Sequence, residues 1–239
     1  MIAILKKEFN LFFSSPIAYL VIGVFLIVNG VFLWVFNESF NILNAGFADL
    51  RAFFFLAPWL FLFLIPSLTM KTFSEEVNSG TIELLKTSSL TTWHIVFGKF
   101  LATLCLIMIA VLPTLTYVYT IHQLGNPIGN FDLGSTMGSY LGLFFLTTTY
   151  TAIGLWTSTL SKNQIVAFIL GVCITCFMFY GFDALAGLSK NGAYTLQQLG
   201  IDAHFKSISR GVIDTRDLVY FLSVTAFFLL LTKIQVSHE

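Results

Sequence analysis

MKTFSEEVNSGTIELLKTSSLTTWHIVFGK, residues Met70 to Lys99, is the longest polar, charge-bearing interruption in the first half of an otherwise apolar chain. It holds Glu75, Glu76 and Glu83, the turn formers Asn78, Ser79 and Gly80, and a short apolar-periodic run from Thr81 to Thr87. Apolar stretches flank it on both sides, so it reads as a loop at a membrane face, with the content of a folded element. Gly80 breaks one helix, because glycine tolerates the backbone angles of a sharp reversal, and Thr81 can begin another as a cap. Ile82 and Leu85 then fall three apart on one face with Leu84 beside them. Two readings stay open: an amphipathic helix lying on its own protein or on lipid, and a knob that docks a soluble partner.

Composition restricts the rest. Of 239 residues 56% are apolar and only 10% charged, with a mean hydropathy of +0.85, whereas soluble domains carry roughly a quarter charged residues. The expected class is an all-α polytopic membrane protein forming a single bundle over 1–239. Formal net charge is zero, so nothing argues for nucleic acid. Lys6 and Lys7 precede a hydrophobic run too long for a signal-peptide core, so the first span is expected to stay in the protein.

In chain order, residues 1–15 place Ile2, Leu5, Phe9 and Phe12 at helical spacing, with Lys6, Lys7, Glu8 and Asn10 on other faces. That pattern predicts an amphipathic interfacial helix, separated from the next element by Pro16. Six apolar runs predict spans at about 17–36, 53–69, 100–121, 137–160, 165–182 and 218–236, with the loop 70–99 between the second and third. Pro58 and Pro66 interrupt the second span and Pro113 the third. The fourth is entered through Gly134, Gly138 and Gly142 at four-residue spacing, which reads either as a face for close helix approach or, with Gly134 as loop, as no such face; Thr147 to Thr151 make the span polar. Such hydroxyls can bond their own backbone, so they do not prove a pore. Asp183 is expected at the interface. Between the last two spans Phe205, Ile208 and Val212 can share a face of a surface or re-entrant helix. Asp214 would then cap the last span, with Asp217 in its first turn.

Six spans put both termini on one side. With cytoplasmic termini, seven Lys and Arg residues lie inside and five outside, so the positive-inside rule places the termini and the loop 70–99 in the cytoplasm. Catalytic chemistry is not evident. Cys173 and Cys176 have CxxC spacing but sit in an apolar span without a second pair, and no HExxH or GxSxG occurs. Gly98-Lys99 is preceded by no glycine at the offset a phosphate loop needs. No catalytic residue, cofactor or metal site is therefore expected, and ATP hydrolysis, if it drives this protein, belongs to another subunit.

The run EEVNSGTIELLKTSSLTTWHIVFGKF resembles the coupling segment of type-2 ABC exporter permeases, in which two acidic residues precede a Gly-Thr, a Glu-Leu-Leu and a helix into the third span. The N-terminal helix, the six spans and the long fifth-to-sixth connection match that family over almost the whole chain. HFKSISRGVIDTRDLVYFLS resembles a narrower group that includes the gliding-motility-associated permease (the F subunit) of Bacteroidetes and a copper-processing permease, and the gliding permease is the nearer resemblance. Ser89 stands where the family often has proline, and Lys86 where leucine is common. The resemblance implies a cytoplasmic ABC ATPase partner and a dimeric transmembrane unit with a second permease copy or permease-like subunit. It also implies a bacterial inner-membrane location and assigns Glu75, Glu76, Gly80, Thr81, Glu83, Leu84, Leu85 and Thr87 to ATPase coupling. The rival expectation is a structural membrane anchor of a motility or secretion complex that moves no substrate.

Overall fold

The computed structural model describes residues 1–36, 40–44, 46–83, 91–188 and 192–238. Among these every regular element is a helix. The chain begins with α1 (Ile2–Ser14), then α2 (Pro16–Gly30), which a π turn extends through Val35. Next come α3 (Arg51–Asn78), α4 (Thr92–Val111) and α5 (Leu115–Leu124), the last two joined by a tight turn at Pro113. The helix α6 (Leu133–Thr159) precedes α7 (Gln164–Cys176), itself extended by a π turn through Gly181. Three short helices, α8 (Phe182–Leu188), α9 (Ala193–Gln197) and α10 (Ile201–Ile208), lead to α11 (Thr215–His238).

Local chemistry explains the breaks. Ser15 accepts from the Ile17 amide at 3.4 Å while Pro16, lacking an amide to leave unpaired, starts α2. Asp132 caps α6 through the Ser135 amide at 3.0 Å, and Asn163 caps α7 through that of Ile165 at 2.9 Å. As expected, Asp214 accepts from the Arg216 amide, at 2.9 Å, where α11 begins.

Five helical stretches are long and apolar enough to cross a membrane: Pro16–Val35, Arg51–Asn78, Thr92–Leu124, Gln164–Leu188 and Thr215–Ser237. With 27 residues α6 is long enough too, but threonine, serine and glycine dilute its apolar content. Instead it is the packing centre, touching α3, α4, α7, α10 and α11. Its hydroxyls mostly bond their own helix: Thr147 and Thr148 donate to Phe144 O at 2.9 and 2.7 Å, and Thr151 to Thr147 O at 2.7 Å. Thr149 also meets Thr225 on α11 at 3.1 Å.

The glycine spacing in α6 is used against α10. A Cβ on Gly138 would lie 2.5 Å from Ile208 O, and one on Gly142 would lie 3.2 Å from the Phe205 ring. Phe205 and Ile208 are buried there, while Val212, beyond the end of α10, is exposed and does not share their face. Ser135, near the start of α6, donates to Ser209 O at 2.8 Å, and Ser158, near its end, lies 3.4 Å from Thr72 of α3. The helix therefore joins two opposite ends of the bundle.

The polar stretch that opened the sequence is largely helical. Met70 to Asn78 continues α3, and Thr92 to Lys99 begins α4. Charge and turn residues suggested a longer loop, but a helix whose polar end is bound by side chains needs no early stop.

Candidate functional site

Where α3 ends, Ser79 and Gly80 return their amides to Glu75 O and Val77 O at 2.9 and 3.3 Å, closing the last turn. Gly80 sits at φ +70°, the left-handed conformation that a helix-ending glycine adopts without penalty. The Ser79 hydroxyl then meets Thr81 Oγ1 at 2.9 Å, and the chain turns into a short helical segment in which Ile82 is buried. Glu75, Thr81 and Glu83 are exposed around this corner. Leu84, Leu85 and Thr87, the rest of the expected coupling element, lie outside the described residues.

Glu76 behaves differently. Its carboxylate reaches Lys99 Nζ at 2.9 Å and Lys7 Nζ at 3.2 Å. Lys99, only 1% exposed, is the hub: it donates to Glu8 Oε1 at 2.9 Å and to Thr72 O at 2.7 Å, and stands 5.1 Å from the Phe73 ring centroid. Two lysines and two glutamates thus close a formally neutral cluster that joins α1, α3 and α4. Buried charge is tolerated when it is paired and hydrogen-bonded, and removing one partner of such a pair costs roughly 3–5 kcal/mol.

The buried stripe of α1 is Ile4, Glu8 and Phe12, spaced four apart. This corrects the sequence reading, which took Ile2, Leu5, Phe9 and Phe12 as the apolar face and set Glu8 on a polar one. Ile2 is in fact exposed, and Leu5 and Phe9 are half-buried. The reason is the lysine opposite, which makes a carboxylate the preferred residue on the inner face. Gly98 permits the approach, since a Cβ there would lie 2.8 Å from Ile4 Cβ. A further tie brings in the end of α11, whose Lys233 Nζ stands 5.3 Å from the Trp93 ring at the start of α4.

Three helices are thus fastened to one ammonium group. The described residues contain no group of three or more His, Cys, Asp or Glu that could hold a metal ion. Residues 2–233 match the family described as ABC-2 family transporter protein. The chain belongs to that family. No curated protein matches it in sequence. Membership makes this chain a multi-pass membrane permease of an ABC transporter, a membrane component of a kind that works with a cytoplasmic ATPase in dimeric transmembrane units.

Among the described residues assigned to coupling by the resemblance, Glu76 alone enters the buried cluster. Glu8 and Lys99 escaped the sequence reading. The available signal was a lysine inside the apolar run IVFGKFLATL and a glutamate exactly one helical repeat from Ile4 and Phe12.

Proposed function

We propose that this chain couples ATP hydrolysis by a separate cytoplasmic ATPase to export, or to work on a gliding or secretion apparatus, through the corner at Gly80 to Thr87. The observation that carries the reading is the Lys99 cluster, which fastens both anchors of that corner, α3 and α4, to the N-terminal helix. When nucleotide closes the ATPase, a docked corner is displaced, and the shared anchor turns that displacement into movement of three helices rather than local bending. That movement biases one arrangement of the bundle over another to the extent that the ATPase binds the two differently.

In this reading the chain crosses the bacterial inner membrane six times, with α6 as the remaining crossing and both termini in the cytoplasm. The contacts of Ser135 and Ser158 with opposite ends of the bundle support it. Helix α1 lies in the interface, consistent with its outward Ile2 and Leu11. A second permease copy or permease-like subunit completes the transmembrane unit.

The test uses two variants that leave the spans intact. Leu85→Asp puts a charge where a partner would bury an apolar side chain, and Gly80→Val forbids the left-handed turn. Both should insert and dimerise normally yet lose co-purification with the ATPase and its coupled turnover. Full binding and turnover in Leu85→Asp would return the corner to an ordinary surface helix. For topology, single cysteines at Ser79 and Ser209 should label from opposite sides of the membrane.

A further inference from the structure

The bundle end away from the lysine cluster carries a second polar assembly, and this one is not closed. His204 on α10 is buried, with Nε2 at 2.8 Å from Gln198 O and Nδ1 at 2.6 Å from Asp217 Oδ1 on α11. Its ring stacks on Tyr220 at 3.9 Å between centroids, and the Tyr220 hydroxyl donates to Leu199 O at 2.6 Å. A carbonyl only accepts, so Nε2 is the donor to Gln198 O and Nδ1 is taken up by Asp217.

These contacts satisfy one oxygen of Asp217. The other, Oδ2, is buried and has no hydrogen-bond partner among the described residues, in a residue only 5% exposed. Buried polar atoms are rarely left so. Asp217 also lines a cleft of about 480 Å³ with Asp183, Asp202, Asp214, Lys206, Arg210 and Arg216.

Most of the other charges in the cleft are already committed. Lys206 pairs with Asp202 at 2.5 Å, Asp183 accepts from Gln197 at 2.9 Å, and Asp214 accepts from the Arg216 amide at 2.9 Å. Arg210 and Arg216 are exposed, and neither side chain has an ion pair among the described residues. The cleft therefore offers one acceptor at depth that lacks a donor and two guanidinium groups that lack an anion. Guanidinium is suited to phosphate oxygens. The segment that forms the cleft joins two helices apolar enough to cross a membrane, which sets it near lipid headgroups.

We propose that this cleft binds phosphoethanolamine, the ammonium donating to Asp217 Oδ2 and the phosphate lying against Arg210 and Arg216. The site is distinct from the coupling corner and does not depend on it. A quaternary ammonium keeps the charge but has no N–H, so a choline headgroup would leave Oδ2 unpaired.

Native mass spectrometry of the full chain in mild detergent, titrated with phosphatidylethanolamine, phosphatidylcholine and phosphatidylglycerol, tests this. Phosphatidylethanolamine should be retained on the order of tenfold better than phosphatidylcholine, the ratio expected when a buried acceptor loses its donor. Asp217→Ala should bring that ratio to about one, and Asp217→Asn, which keeps the side-chain volume, should lower it as well. Arg210→Gln with Arg216→Gln should weaken both lipids while leaving the ratio unchanged. Competition by glycerophosphoethanolamine separates the two sources. Displacement of the lipid means that the headgroup chemistry suffices, and failure to displace means that the ligand is the lipid itself; both support the site. Should Asp217→Ala fail to fold, the wild-type ratio and the arginine variants decide. Equal retention of the ethanolamine and choline lipids, a preference unchanged in Asp217→Ala, or stronger retention of phosphatidylglycerol would overturn the proposal.

Discussion

Lys99 and Asp217 are both buried ionisable side chains, one near each end of the bundle, and their surroundings differ. Around Lys99, two carboxylates and a carbonyl meet the ammonium, and Lys7 balances the second acid. Around Asp217, His204 meets one oxygen and the second is left over. A network in which each charge has an opposite charge within ion-pair reach fixes geometry, and its energy is recovered only when every member is present. An incomplete one keeps a demand that a ligand can meet. The first arrangement suits a joint that must not yield, and the second suits a site.

The largest effect is expected at the joint. Lys99→Met strands Glu8 and Glu76 at the junction of three helices and should lower stability by roughly 3–5 kcal/mol, read as unfolding in lipid nanodiscs. The informative variant combines Lys99→Met with Glu8→Leu and Glu76→Gln. Replacing a whole buried ion network by apolar or neutral groups is often near neutral, so this triple variant should regain most of the loss. If the joint transmits force, coupled ATPase turnover should stay low despite the regained stability. Recovery of both together would reduce the cluster to a fold element.

At the other end, His204→Ala leaves Asp217 Oδ1 and Gln198 O without their partner and removes the stack on Tyr220. A loss of about 3 kcal/mol is expected, smaller than at Lys99 because the cleft admits water to part of the damage. Circular dichroism melts of the two single variants side by side test the ranking. A larger loss at His204 would mean that the open assembly, not the closed one, holds the bundle together.

The sequence disclosed the two ends unequally. Hydropathy marks the long helices, and turn chemistry marks Gly80, whose left-handed backbone follows from its place after a polar helix end. Glu76 could be assigned to the coupling segment, but not its bond to Lys99, because a pairing between residues 23 apart and a third partner in another helix leaves no local pattern. Glu8 was misplaced for a related reason: hydrophobic periodicity scores a carboxylate as outward, and only the buried lysine opposite reverses that. Asp217 was read correctly as a first-turn acid, yet its histidine partner lies in a short helix whose docking depends on Gly138. In each case a tertiary contact overrode a local preference that was sound by itself.

Gly138→Ala probes what aligns the open assembly. Its Cβ would meet Ile208 O, a backbone atom at 2.5 Å that cannot swing aside. Overpacking of this kind costs about 2 kcal/mol. The displaced α10 carries His204, so the phosphatidylethanolamine preference should fall along with stability, whereas the contacts at the Lys99 end should be unaffected. Gly142→Ala, facing the adaptable Phe205 ring at 3.2 Å, should do much less. Equal effects of the two substitutions would mean that α10 is not held by close approach to α6.

The smallest effect is expected midway between the ends. Thr149 lies 3.1 Å from Thr225, so one hydroxyl links α6 to α11. Both residues are buried, and Thr149 also donates within its own helix to Phe145 O at 3.2 Å. Hydrogen bonds between helices in apolar surroundings contribute about 0.6 kcal/mol each, because the separated helices find other partners. Valine preserves the branched shape of threonine and removes only the hydroxyl, so Thr149→Val should shift stability by about that amount and leave both ends unchanged. Thr225→Val should match it, and the double variant should cost less than the sum of the two, since the same bond cannot be lost twice. A loss several times larger would place a third polar junction in the middle of the bundle, and the contrast between a closed end and an open end would no longer describe how its helices are held.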